Sequence, residues 1–146
     1  MNQRKQFVTH RREDGSFQPL KEHLEGVARL AEQFARAIGT PKEGLRTGLG
    51  HDIGKYSRNG QRRQRDPEHA PRADHSTAGA KEALSLGDIP AAFAIAGHHG
   101  GLPDIGNGEG TLAARRKKKL DGDDDPSDWR TEITLPETTD LPAWGD

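Results

Sequence analysis

Apolar residues are sparse in this chain and fall into a few short blocks, and the spacing within each block predicts an element. Across residues 20–38, Leu24, Val27, Ala28, Ala31, Phe34, Ala35 and Ile38 recur at steps of three and four, the period of one helical face, and Gly39 closes the run. Thr40, Pro41 and Glu43 then supply, in order, an N-cap, a first-turn proline and a capping-box acid. They predict a second helix whose buried face carries Leu45, Leu49, Ile53 and Tyr56, with His51 and Asp52 inside it. Gly48 and Gly50 each cost about 1 kcal/mol relative to alanine in a helix, so their position beside His51 predicts close approach of another backbone. Residues 57–73 hold Arg58, Arg62, Arg63 and Arg65 with almost no apolar side chain, and read as an exposed basic loop. A third helix is expected from an N-cap at Asp74 through Ala78, Ala80, Ala83 and Leu84 to the break at Gly87. Residues 90–97 are apolar all round, as in a buried helix, and deliver His98 and His99 directly before Gly100 and Gly101.

The flanks lack such patterns. Residues 1–19 are polar and read as a lead-in loop that adds little core. Beyond Pro103 a cationic run over residues 115–119 and an acidic run over residues 121–125 precede Pro126, Pro136 and Pro142. Trp129, Ile133, Leu135, Leu141 and Trp144 can dock this tail but set no period. The expected organisation is one domain over residues 1–120 and a polar, partly irregular tail over residues 121–146. Composition agrees: of 146 residues, 30% are hydrophobic and 31% charged, so the core must come from those few blocks. With 22 basic and 23 acidic residues, the net charge of -1 gives no global attraction to nucleic acid, and any basic patch must be local. The absence of cysteine excludes disulfides, thiolate zinc sites and cysteine nucleophiles, leaving histidine and carboxylate as metal ligands. No apolar run approaches the ~18 residues of a membrane span, and no apolar signal core follows the N-terminus. A cytoplasmic protein without a membrane partner is expected.

Histidine placement carries the candidate chemistry. His23, His51, His75, His98 and His99, with Asp52, lie on or at the ends of the four predicted helices, whereas His10 and His69 fall in polar segments. Imidazole and carboxylate suit Mn, Fe, Co, Ni or Zn, and a helical bundle can hold two such ions when ligands project inward from several helices. Adjacent helical residues point about 100° apart, so His51 and Asp52 do not chelate one ion as an i,i+4 pair does. A carboxylate offers two oxygens and can bridge two ions, which makes Asp52 the candidate bridge. Burying these imidazoles and a carboxylate without partners would cost several kcal/mol each, a cost that two divalent ions remove together.

Four stretches, His23-Leu24, the run of residues 50–57 (Gly-His-Asp-Ile-Gly-Lys-Tyr-Ser), the run of residues 74–79 (Asp-His-Ser-Thr-Ala-Gly) and the run of residues 96–101 (Ala-Gly-His-His-Gly-Gly), resemble in order and spacing the HD-superfamily nuclease domain of the type I CRISPR nuclease-helicase. The resemblance spans about residues 8–105. It implies an all-α fold, an HD-domain helical bundle with a metal site in its core. It further implies two divalent ions, Mn, Fe, Ni or Co with Mg also in range. His23, His51 and Asp52 would serve one ion and Asp52, His75, His98 and His99 the other. His51, Asp52 and Lys55 would be catalytic, and Lys55, Ser76, Arg58, Arg62, Arg63 and Arg65 would contact substrate. The implied activity is that of a nuclease, endo- or exonucleolytic, cutting single-stranded DNA in CRISPR interference, with a helicase domain or chain and the CRISPR surveillance complex as partners.

Two departures from that family stand out. Its first metal is completed by an Asp on a downstream helix, and no matching apolar stretch occurs here, so the chain resembles an N-terminal portion of the domain. No phosphate-binding Gly-x-x-x-x-Gly-Lys loop of a helicase is present either. Two other readings stay open at this point: an HD phosphohydrolase acting on nucleotides, and a truncated domain that binds metal or a partner without activity.

Overall fold

The computed structural model describes residues 5–101, 103, 108 and 111–141. Two short antiparallel strands, β1 (Val8–Arg11) and β2 (Phe17–Pro19), lead into α1 (Leu20–Arg36). α2 (Pro41–Gly50) folds back along α1 and gives way to a 3-10 turn, Ile53–Tyr56, and to α3 (Arg58–Arg65). α4 (Thr77–Ser85), α5 (Ile89–Gly97) and α6 (Leu112–Lys117) follow, then the 3-10 turns Gly122–Asp124 and Ser127–Thr131. The fold is the expected helical bundle with one hairpin added. No described helix is long and apolar enough to cross a membrane.

The close approach expected at Gly48 is present: a Cβ there would lie 2.4 Å from the Ala28 Cα, so α1 and α2 touch backbone to backbone. Leu20, Leu24 and Ala28 from α1 join Leu49, Ile53 and Tyr56 in one core cluster, and Ala80, Ala83, Ala92, Ile95 and Leu112 form a second between α4, α5 and α6. Each large apolar side chain buried this way contributes roughly 1.5–3 kcal/mol. α2 covers only part of the apolar stripe of α1, so Phe34 and Ile38, expected inside, are 77% and 78% exposed.

Several expectations need correction. Residues 1–19 do supply core: Phe7 and Val8 are buried, and Phe7 packs against Tyr56 with ring centroids 4.8 Å apart. The second helix stops at Gly50, which puts His51 at its C-terminal cap and Asp52 ahead of the 3-10 turn instead of inside a helix. Thr40 makes no side-chain cap, its hydroxyl pointing instead to the Ala35 carbonyl, and the Glu43 carboxylate completes no capping box, accepting instead the backbone N–H groups of Asp140 (2.7 Å) and Leu141 (3.1 Å). The basic stretch after Ser57 is helical, not a loop. Ser57 Oγ caps it by accepting from the Gly60 N–H, and Gln61 anchors it by bonding both backbone groups of Val8, contacts that an apolar-period reading does not register. α4 begins two residues later than expected, yet Asp74 still accepts from the Thr77 N–H at 3.0 Å.

Residues 121–141 hold only the two 3-10 turns and pack onto the bundle. Trp129, Ile133 and Leu135 enter the first core cluster. The fastening lies at Arg46, a fully buried guanidinium 2.6 Å from the Asp88 carboxylate that also donates to the carbonyls of Pro136 and Thr138. Asp88 in turn caps α5 through the Ala91 N–H. One buried ion pair thus joins α2, α5 and the tail.

Removing the guanidinium leaves a buried carboxylate and two carbonyls without a donor, so Arg46→Met is expected to cost about 3–5 kcal/mol, read as a lowered urea midpoint. Adding Asp88→Asn, which keeps the helix cap and removes the charge, should recover part of that loss. Equal midpoints for the single and double variants would contradict the assignment.

Candidate metal centre

The helices end where the chemistry gathers. His23 comes from the second turn of α1, His51 from the C-terminal cap of α2, Asp52 from the start of the 3-10 turn, His75 from the segment before α4, and His98 from the C-terminal cap of α5, with His99 next to it. Two helix C-termini, those of α2 and α5, direct the negative ends of their dipoles toward this point, which favours a cation there. The backbone brings the pieces very close: a Cβ on Gly54 would sit 2.5 Å from the Cα of His75, so only glycine lets the 3-10 turn touch the segment that carries that histidine.

Asp52 stands at the centre, 3% exposed, and its two oxygens face different histidines. Oδ2 lies 3.2 Å from His51 Nε2 and 3.5 Å from His23 Nε2; Oδ1 lies 3.1 Å from His98 Nε2 and 3.6 Å from His75 Nε2. Two ligand groups share this carboxylate: His23, His51 and Asp52, and Asp52, His75, His98 and His99, each with ligand atoms within 4.8 Å of one another. Asp52 belongs to both groups.

Tautomers are set by the backbone. The carbonyls of Gly48 and Ile95 lie 2.7 and 2.6 Å from Nδ1 of His51 and His98, and a carbonyl only accepts, so Nδ1 carries the proton and Nε2 presents its lone pair to the centre. His75 Nδ1 faces the Ala73 carbonyl at 3.3 Å in the same manner. Nε2 of His23 and of His75 are buried without a hydrogen-bond partner. Buried orphan nitrogens are costly unless something accepts their lone pairs, and divalent cations satisfy that requirement. The donor set therefore fits a divalent metal.

Without a cation at the centre, the charges of the site pull both ways. Burial alone would push the Asp52 carboxyl up, but the imidazoles of His23, His51 and His98 outweigh it and hold the group well below the usual carboxylate range. Burial pushes the His75 imidazole down, keeping it neutral as a ligand must be. His98 moves the other way, because the Asp52 carboxylate more than offsets the effect of burial.

The remaining candidates divide. Lys55 is 6% exposed, and its ammonium sits 2.9 Å from Asp52 Oδ2 and 3.3 Å from Thr9 Oγ1, so its charge is engaged with the central carboxylate. Ser76 lines a cavity of about 610 Å³ beside His75 and His99. The α3 arginines are not among the cluster. Arg58 pairs loosely with Asp123 at 3.8 Å, Arg63 donates to the Ala70 carbonyl and Arg65 to that of Gln6; Arg63 and Arg65 line a separate cavity that His10 also reaches. Among the tail aspartates, Asp124 binds Asn59, Asp128 faces Lys5 and Asp140 faces Lys42, so these three are occupied away from the centre.

Two residues escaped the sequence reading. His10, set aside as lying in a polar segment, occupies a bulge in β1 with φ of 29°, and its ring centroid is 4.9 Å from that of His23. Burial and the Lys55 ammonium push its imidazole down. A strand of four residues is too short for its alternation to reveal which face reaches the site. Arg115 lay hidden in a cationic run and lines the 610 Å³ cavity. His69, by contrast, is exposed and paired with Asp66, as its polar setting suggested.

Gly54→Ala should force the 3-10 turn off His75, costing about 1–3 kcal/mol and weakening divalent-ion binding by calorimetry. Gly26→Ala in α1, where an added Cβ meets nothing within 4 Å, should stabilise by roughly 0.5–1 kcal/mol and leave ion binding unaltered. Equal effects of the two substitutions would contradict the close approach.

The family model described as HD domain matches residues 20–130, a span that contains His23, His51, Asp52, His75, His98 and His99. No curated protein matches the chain. With its histidine and aspartate motifs converging in one helical bundle, the chain belongs to the HD domain family, whose members are metal-dependent phosphohydrolases.

Proposed function

We propose that this HD domain is a divalent-metal-dependent nuclease that cuts single-stranded DNA, of the kind found in the type I CRISPR nuclease-helicase. The observation that carries the reading is the double ligand group on Asp52, in which His75, His98 and His99 add a second set to the His23, His51 and Asp52 group. Two ions held there, Mn, Fe, Ni or Co, would acidify a bound water and neutralise charge on the phosphate and the leaving oxygen.

The chain's own residues supply position and charge balance. His23 and His51 present Nε2 on one side of Asp52, and His75, His98 and His99 face the other. Lys55, bonded to Oδ2, keeps that oxygen ionised and oriented, and is the proposed contact for an incoming phosphate when its ammonium turns from Thr9. No side-chain nucleophile is required in this scheme. The proposed path for the strand is the cavity beside His75 and His99, bordered by α4 and α6, and in this reading a duplex is unwound before it is cut. A helicase domain or chain, with a CRISPR surveillance complex to deliver the target, is the proposed setting. Arg63 and Arg65, near His10, are proposed to guide the strand on the opposite side, with Arg58 and Arg62 on the same helix adding to the field.

The test is cleavage of circular single-stranded DNA by the purified chain with Mn, Fe(II), Ni, Co or Mg in turn. Cleavage that a chelator abolishes, and that His51→Ala and Asp52→Ala each reduce at least ~1,000-fold while DNA binding persists, is the expected result. Turnover of nucleotide monophosphates or triphosphates without attack on the circle would replace this reading with a small-molecule phosphohydrolase.

A further inference from the structure

We infer that Arg115 is a substrate-positioning residue that grips a backbone phosphate of the bound strand next to the one being cut. The inference rests on the phosphodiesterase reading above and adds to it a specific anchor. α6 is oriented by Leu112, buried among Ala80, Ala83 and Ile95, and by Thr111, whose hydroxyl accepts from the Ala114 N–H. Arg115 lies three residues after Leu112 and so faces α4, whereas Arg116 and Lys117 face solvent.

The guanidinium is held on one side and unpartnered among the described residues on the other. Nη1 donates to Ser76 Oγ at 2.7 Å and to Thr77 Oγ1 at 3.2 Å, both neutral hydroxyls. Nε is buried with no partner, and Nη2 has none among the described residues. The nearby Lys118 is different, because Asp74 neutralises it. Among the described residues no carboxylate balances this half-buried guanidinium, and its unpartnered Nε–Nη2 edge has the planar fork geometry that holds a phosphate through two parallel hydrogen bonds once the phosphate reaches it. That fork lines the same cavity as His75 and His99, two ligands of the second metal group. A phosphate seated there lies beside the reaction centre and not in it, which fits a polymer carrying successive phosphates better than a single nucleotide.

Binding of a fluorescein-labelled oligothymidylate, followed by anisotropy in buffer containing chelator, tests this independently of metal and of hydrolysis. Arg115→Ala should weaken binding about tenfold or more and reduce the slope of log Kd against log salt by about one. Arg115→Gln, which keeps a polar side chain on α6 but removes the charge and the fork, should lose as much, and Arg116→Ala should stay within about twofold of the parent. The proposal is overturned if Arg115→Gln retains parental affinity, which would make Arg115 a brace for α4, if Arg116→Ala loses as much, or if the parent chain does not bind the oligonucleotide. Failure to cleave DNA with intact, Arg115-dependent binding would overturn the nuclease reading and leave the anchor standing.

Discussion

A buried carboxylate cannot stand alone in a protein interior, and the arrangement of this molecule around Asp52 follows from that constraint. Four imidazoles and one ammonium approach its two oxygens from five positions in the chain. Only Lys55 carries a fixed positive charge among them. The imidazoles are set by backbone carbonyls to present lone pairs, so they solvate a cation much better than they solvate an anion. That mismatch between a lone-pair-rich shell and a single ammonium is the physical basis for placing divalent ions at the centre.

The remainder of the fold serves to bring those positions together. Backbone contact between Gly48 and Ala28 sets α2 against α1 and fixes His51 opposite His23, while Gly54 lets the 3-10 turn meet the segment that bears His75. Arg46 and Asp88 act at a distance from the chemistry, tying the start of α5 to α2, and α5 then delivers His98 from its far end. The positive φ at His10 lies in the hairpin beside His23, and Phe34 and Ile38 stay uncovered at and just beyond the end of α1.

Much of this was legible in the sequence because the ligands sit at helix ends, where glycines and prolines punctuate the chain. The apolar period located α1, α2, α4 and α5, and the glycines around His51 and after His99 marked close packing and termination. Asp52 as the shared ligand followed from having two oxygens and one position. Elements held by polar contacts were not legible. α3 has no apolar face and depends on Ser57, Gln61 and the backbone of Val8, and Arg46 sits between two leucines as an apparently ordinary surface residue until Asp88, 42 positions later, folds onto it. His10 and Arg115 reach the site only through tertiary structure, one by a strand bulge and the other through the anchoring of Leu112.

The proposal that Asp52 is shared by two cations is tested most directly by anomalous scattering from crystals soaked in Mn(II). The account expects two peaks roughly 3.5–4 Å apart, one contacted by His23, His51 and Asp52 and the other by Asp52, His75, His98 and His99. A single peak, or peaks that do not share Asp52, would contradict it.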